Sequence, residues 1–340
     1  MAGHIEYRLA LTRTSGTVCL GLTARGKFRK QLKMIKKNGL IIWIGIGLTI
    51  LLYGGVSAGT RTLVDQTGRT VAVPDSPVRI VSLAPSITEI IFGLECENRL
   101  KGVTSHSDYP AAASTLPQVG SYVRLDIEKI IALQPDLCIG IKDGNPKESV
   151  MRLDSLGIPV YAVNPRRLDT IMASVLEIGN LLGASERAGK LAETMRTRID
   201  RVEQLAATAG SRPRVFFQIG VAPIVSAGSD TFIHELIQKA GGVNLAGTQT
   251  SYPRFSLEEI VVAAPDIIII TTMERENAFD EVKAGWRQWP NIPAVANNRI
   301  FLVDSDIFDR PSPRLVEALE MLARLIHPEL AWDNLQKAIE

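Results

Sequence analysis

Two stretches of this chain, about 130 residues apart, spell nearly the same structure. Leu125-Asp126-Ile127-Glu128-Lys129-Ile130-Ile131-Ala132-Leu133-Gln134-Pro135-Asp136-Leu137-Cys138-Ile139 is echoed by Phe255-Ser256-Leu257-Glu258-Glu259-Ile260-Val261-Val262-Ala263-Ala264-Pro265-Asp266-Ile267-Ile268-Ile269. Each reads as a helix cap, a short helix with a glutamate in its first turn, a Pro-Asp break and a buried strand. Solenoid units repeat every 20–50 residues or so, so a period this long is the size of a domain. The chain therefore predicts two similar lobes, with a working cleft between them.

The flanking pattern gives the class of each lobe. Residues 60–73 hold two runs of strand formers either side of Thr67-Gly68 and read as a small exposed hairpin. Arg79–Leu83 is a short apolar strand leading into Ala84-Pro85-Ser86 and a helix to about Leu94. A strand follows at 101–104, then the first repeat element, and a strand at 158–163 closes the lobe. A second series restarts at 215–219, carries a helix over 233–240 and the second repeat element, and ends in a strand at 300–303 and a helix over 313–325. Alternating strands and helices predict α/β lobes built on mostly parallel sheets. Between the lobes, residues 168–208 lack proline and place Ile171, Val175, Ile178, Leu181, Leu182, Ala188, Leu191, Met195 and Ile199 at helical spacing. That predicts a long rigid inter-lobe helix, with Gly183 as a break point and Ser185 capping the second piece. The expected organisation is a leader over 1–58, an N-terminal lobe over 59–167, an inter-lobe helix over 168–210 and a C-terminal lobe over 211–340.

Charge is informative only after the leader is set aside. Nine of the 38 basic residues and one of the 36 acidic ones lie in residues 1–58, so the remainder carries 29 against 35, a net of −6. Such a chain has no electrostatic footprint for nucleic acid. Lys36-Lys37, an uncharged run over 40–56 and the small residues Val56-Ser57-Ala58 form the pattern of a cleavable signal peptide. The expected location is periplasmic, the alternative being an uncleaved membrane anchor; Met34 is a candidate start of translation. No cysteine ends the apolar run, so a lipid anchor is not expected. Cys96 and Cys138 remain, and the expectation is two separately buried thiols rather than a disulfide.

No catalytic constellation stands out. The one G-x-S-x-G match, Gly55–Gly59, straddles the cleavage site and lacks the context of a nucleophile elbow. Residues 21–28 approach a phosphate loop but have Phe28 where Ser or Thr is required, and they lie in the leader. His234 and His327 have no evident partner, and no Cys/His spacing announces a metal site. No enzyme activity, metal or resident cofactor is expected. Ligands of open α/β sheets bind at the C-terminal ends of the strands. The loops there gather Tyr109, Tyr122, Tyr252 and Phe308 with His106, Arg254, Asp306 and Arg310. Aromatic walls with a few polar contacts suit a bulky, flat or amphipathic ligand. Glu128 and Glu258 have two readings. They fit helix first turns, where the dipole favours negative charge; they also form a matched pair of handles, one per lobe, for a two-fold partner.

Further motifs carry a family likeness. Arg79-Ile80-Val81-Ser82-Leu83-Ala84-Pro85-Ser86-Ile87-Thr88-Glu89, Ser107-Asp108-Tyr109-Pro110, the Pro135-Asp136 strand entry, Phe216-Phe217-Gln218-Ile219-Gly220 and Phe308-Asp309-Arg310-Pro311-Ser312-Pro313-Arg314 resemble, in collinear order from about residue 60 to 327, the periplasmic cobalamin- and iron-siderophore-binding proteins of ABC importers. The likeness is nearest to the cobalamin-binding members. It implies two Rossmann-like lobes joined by one long helix, a monomer that captures a corrinoid without chemistry, and an inner-membrane ABC permease dimer as partner. It implies that Glu128 and Glu258 dock into arginine pockets of the permease. It also implies that His106, Tyr122, Tyr252, Asp306 and Arg310 line the ligand cleft. Tyr122 and Tyr252 stand where the cobalamin binder has tryptophans, Ile141 replaces another, and His106 replaces a tyrosine. Fewer large rings leave an iron siderophore or haem as the alternative ligand, and a chelatase-like enzyme as an alternative from another class.

Overall fold

The computed structural model describes residues 59–271 and 277–332. The leader, with its signal-peptide pattern and Met34, lies outside the described residues. No described helix is long and apolar enough to cross a membrane.

The described residues form one compact unit of two lobes. The first is built on a four-stranded parallel sheet in the order Leu100–Gly102, Ile80–Ser82, Leu137–Ile141, Val160–Val163. The second repeats that order with Val243–Asn244, Arg214–Gly220, Ile267–Ile270 and Ile300–Leu302, again all parallel. It adds an antiparallel extension, Ile224–Ser226 and Arg254–Phe255, on the edge of Arg214–Gly220.

The repeated Pro-Asp break has the same cause in both lobes. The Asp136 carboxylate accepts from the backbone N–H groups of Val78 (2.7 Å) and Arg79 (3.0 Å), fixing the start of the neighbouring strand. Asp266 accepts likewise from Arg214 N–H at 2.7 Å. The residue before each proline, Gln134 and Ala264, is left-handed, with φ 48° and 46°. A non-glycine residue holds that conformation only where its surroundings enforce it, here a helix end followed directly by proline.

Strand alternation divides the core. In the first sheet Ile80, Leu137, Ile139 and Val163 face one way, while Val81, Cys138 and Val160 face the other onto a smaller cluster. In the second, Val215, Phe217, Ile267 and Ile269 oppose Phe216, Ile268 and Ile270. The first set from each lobe belongs to one continuous apolar core, which runs through the connecting helices. Each outer face has its own satellite. The sequence allows two separate cores; the structure merges their larger parts.

The connection is two helices, Leu168–Leu181 and Ser185–Ala206, rather than one strut. Gly183, at φ +62°, makes the break. Ser185 is the first helical residue and does not cap; Ala184 precedes it without a side-chain bond. The second helix is about 33 Å long at 1.5 Å per residue. It buries Ala188, Ala192, Met195, Ile199, Val202 and Ala206 along one stripe. Gly179 permits the two helices to meet, since a Cβ there would stand 2.3 Å from that of Ala188. A bidentate pair from Arg198 to Glu320 (2.9 and 2.8 Å) ties the long helix to the closing helix Leu315–Ile326.

The hairpin Thr60–Val64/Thr70–Pro74 is anchored at its turn rather than freely exposed. Arg69 binds Asp65, Asp154 (2.8 Å) and the Val160 carbonyl (2.6 Å). Cys96 and Cys138 are buried free thiols, and burial pushes the Cys138 thiol up.

Candidate functional site

The C-terminal ends of both parallel sheets open on one cavity of about 990 Å³. That is the upper end of ordinary small-molecule sites, so the cavity suits a bulky guest. The first lobe contributes the turn at Pro85-Ser86, the loop with His106 and Asp108, and Tyr122 at the tip of the hairpin Gly120–Ser121/Arg124–Leu125. It also contributes Asp143 and Gly144, and Asn164 to Arg166 after the last strand. Asn145 sets three of these loops: its side chain accepts from Ile141 N–H (2.8 Å) and donates to the carbonyls of Leu83 (2.8 Å) and Tyr122 (2.9 Å). The second lobe contributes Ile219, Val225, the N-terminus of the helix Phe232–Lys239, Tyr252 and the run Leu302 to Pro311.

Five of the residues expected in the site, His106, Tyr122, Tyr252, Asp306 and Arg310, do line this cavity. Two do not. Phe308 is fully buried and packs on Phe217 at 6.1 Å between ring centroids. The Asp304 side chain caps a four-residue helix, Ser305–Phe308, which turns the ring inward; Asp304, just past the last strand, was the local signal for that cap. Tyr109 is exposed outside the cleft, against the Arg314 guanidinium at 3.9 Å. It borders a separate cavity of about 360 Å³ with Glu89 and Arg314. Arg254 is exposed and does not line the cleft. His234 and His327 also lie off it, bonded to Asn244 (3.1 Å) and to Glu329 (2.9 Å).

The charges are more committed than the sequence suggests. Arg310 belongs to the second lobe but pairs with Glu89 (3.1 Å) and Asp108 (2.9 Å) of the first, as well as with Asp306. Glu89, 5% exposed, also accepts from Ser312 at 2.6 Å and lies 3.7 Å from Arg314. Burial pushes its carboxyl up, opposed by the Ser312 bond and the two guanidiniums. Arg166 bridges the lobes elsewhere in the cleft, with Asp143 at 3.5 Å and Asp230 at 3.0 Å. Both arginines lining the cleft are thus spent on ties between or within lobes. Asp108, Asp143, Asp304, Asp306 and Asp309 also line it, so among the described residues five carboxylates face two guanidiniums.

Asp309 had no sequence signal beyond its place beside Arg310. Burial pushes its carboxyl up to about 7, despite the Thr271 hydroxyl and with help from Asp306 and Asp304. Burial and then the Asp309 charge push the Tyr122 phenol up; Tyr252 is raised by burial, Asp143 and, more weakly, Asp309. No group of three or more His, Cys, Asp or Glu among the described residues is arranged to hold a metal.

Away from the cleft, the repeat helices Ile127–Ala132 and Leu257–Ala263 each start from a side-chain cap. Asp126 accepts from Lys129 N–H (3.1 Å), and Ser256 and Glu259 form a reciprocal capping box (3.2 and 2.7 Å). Capping is therefore done by other residues. Glu128 and Glu258, second in their helices, are exposed and make no side-chain bond among the described residues.

Two lobes with duplicate parallel sheets thus share one cleft between them. The chain belongs to the periplasmic binding protein family, whose model matches residues 80–307. It is 30% identical over 253 residues to a vitamin B12-binding protein of Vibrio parahaemolyticus, covering 74% of this chain and 90% of that one. Among solved structures it is similar to the periplasmic vitamin B12 binding protein of Vibrio cholerae (TM-score 0.66, 30% identity, 75% and 98% of the two chains). A periplasmic heme binding protein from Pseudomonas aeruginosa is also similar (TM-score 0.68, 27% identity, 75% and 94%).

Proposed function

We propose that this chain is the exported substrate-binding component of an ABC importer, and that it captures a corrinoid of the vitamin B12 type for a two-subunit permease. The observation that carries the ligand class is the charge balance of the cleft. Haem and many ferric siderophores present carboxylates or other anionic groups and call for a free cation. Among the described residues, neither arginine lining the cleft is free, and carboxylates outnumber them. An anion placed there meets a net negative wall and loses affinity. A neutral or cationic macrocycle edged with amides does not. The volume and the half-buried Tyr122 suit a large guest with apolar faces, and the two B12-binding relatives point the same way.

Docking rests on Glu128 and Glu258. The capping work is done by Asp126, Ser256 and Glu259, so two unpaired, exposed carboxylates remain at matched positions, one per lobe. That arrangement suits a permease with two-fold symmetry presenting a basic pocket on each subunit.

Haem is the second reading, favoured by the similarity to heme binding proteins. Calorimetric titration of the purified protein with cyanocobalamin, cobinamide, haemin and a ferric siderophore separates the two. Cobalamin or cobinamide should bind at micromolar affinity or better and ahead of haemin. Tighter binding of haemin, or no corrinoid binding, overturns the proposal.

A further inference from the structure

A buried polar atom that has given up water normally finds a partner inside the protein. Among the described residues, two side-chain atoms that break this rule belong to residues lining the cleft, Asn164 Oδ1 and Asp309 Oδ1, and a third, Thr271 Oγ1, lies behind Asp309. Asn164 and Asp309 line the cavity, one from each lobe. Their backbones are satisfied: Asn164 N–H donates to Gln66 Oε1 at 2.6 Å, and Asp309 N–H donates to the Ser305 carbonyl at 2.9 Å. The unused capacity is confined to the side chains.

Thr271 follows the strand Ile267–Ile270, and its N–H donates to the Gln218 carbonyl at 2.9 Å. Alternation along the strand puts its side chain on the face of Ile267 and Ile269, the side on which Phe308 packs. Its hydroxyl is fully buried and near enough to the Asp309 carboxyl to favour its charged form, although it makes no hydrogen bond in this structure. Arg310, the next residue, is turned away to Glu89, Asp108 and Asp306, so among the described residues no guanidinium pairs with Asp309.

We infer that Asp309, backed by Thr271, is a specificity-determining residue that accepts a hydrogen bond from the bound macrocycle and selects guests edged with amide N–H donors over guests edged with carboxylates. Asn164 faces it from the other lobe; its amide can present either end, so the selection falls to Asp309. The inference rests on the corrinoid reading above and adds the residue that enforces it.

Only the ionised carboxylate is purely an acceptor. Affinity for an amide-bearing guest therefore rises as pH passes upward through neutrality, and affinity for a carboxylate-bearing one falls. The charged and titratable groups facing Asp309 among the described residues are Asp304 and Asp306 of its own segment, and Tyr122 and Tyr252 across the cleft. His106 lines the same cavity and needs a control.

The test is calorimetric titration with cyanocobalamin and with haemin from about pH 5.5 to about pH 8.5, on the wild type, D309N, T271V and H106Q. Wild type should bind cobalamin more tightly at the alkaline end. D309N, which offers a donor of the same shape, should bind cobalamin roughly 10- to 100-fold more weakly there, lose the pH dependence and bind haemin more tightly. T271V, lacking the supporting hydroxyl, should move the midpoint to higher pH. H106Q should keep the wild-type rise in cobalamin affinity with pH, whatever its effect on the absolute affinity. If wild type binds cobalamin and D309N matches it within about twofold at every pH, the inference fails while the corrinoid reading survives. If wild type binds haemin and not cobalamin, both fail.

Discussion

The two lobes agree in their parallel strands and strand entries and differ where the strands end. Strand order, the Asp136 and Asp266 strand caps, the left-handed Gln134 and Ala264 and the unpaired Glu128 and Glu258 recur in both. At the cleft the likeness stops. The first wall presents His106, Tyr122, Asp108, Asp143, Asn164 and Arg166; the second concentrates Asp304, Asp306, Asp309 and Arg310 in one short segment after its last strand. Backbone hydrogen bonds and core packing fix the strand entries and permit little change. The loops at the exits carry little of the fold, so each wall can take its own chemistry.

That comparison can be broken experimentally, and the largest effect should be on transport. Glu128→Ala combined with Glu258→Ala should abolish uptake in cells carrying the cognate permease, while melting temperature and ligand affinity stay at wild-type values. Full uptake by the double variant removes the docking role, and unequal single variants would show that the lobes are not equivalent handles. Next comes the tie between the walls. Glu89→Ala takes the buried partner from Arg314 and one of three from Arg310, which keeps Asp108 and Asp306, and should lower stability by up to about 3 kcal/mol in urea unfolding, the low end for breaking a buried ion pair. Glu89→Gln should do less harm, because it keeps a partner for Ser312.

Asp309 should behave in the opposite sense to Glu89. Its carboxyl is raised to about 7 in the folded protein, whereas an unfolded aspartate titrates near 3.9. Between those values the folded state holds the extra proton, so wild-type stability falls as pH rises through the window. D309N should therefore be more stable than wild type above pH 7 and equal to it at about pH 4; a constant difference across that range would contradict the assignment. The smallest effects should come from the matched caps. Asp126→Ala and Ser256→Ala should each cost about 1 kcal/mol; after Ser256→Ala the bond from the backbone N–H of residue 256 to the Glu259 carboxylate remains.

Most of the scaffold was legible because its signals are local. The order of strands and helices, the caps at Asp126 and Ser256 and the Pro-Asp entries all follow from residues within a few positions of one another. The inter-lobe helix was read in outline, though Gly183 divides it and Ser185 does not cap. What the sequence hid was long-range. Arg310 meets Glu89 across 221 positions and Asp108 across 202, and Tyr109 is held beneath Arg314. No local pattern announces either. Phe308 read as a cleft residue because its loop looked open, and only the short helix capped by Asp304 shows the ring turning inward. Asp309 was harder still, since its interest lies in a partner it lacks.

The apolar core that runs unbroken from the first sheet through the connecting helices into the second has a thermodynamic consequence. Lobes with separate cores can melt one after the other. Here each sheet's larger buried face is completed by side chains that also serve the other lobe, so neither can lose its structure without exposing its twin. A chain that reads as a doubled sequence should unfold once.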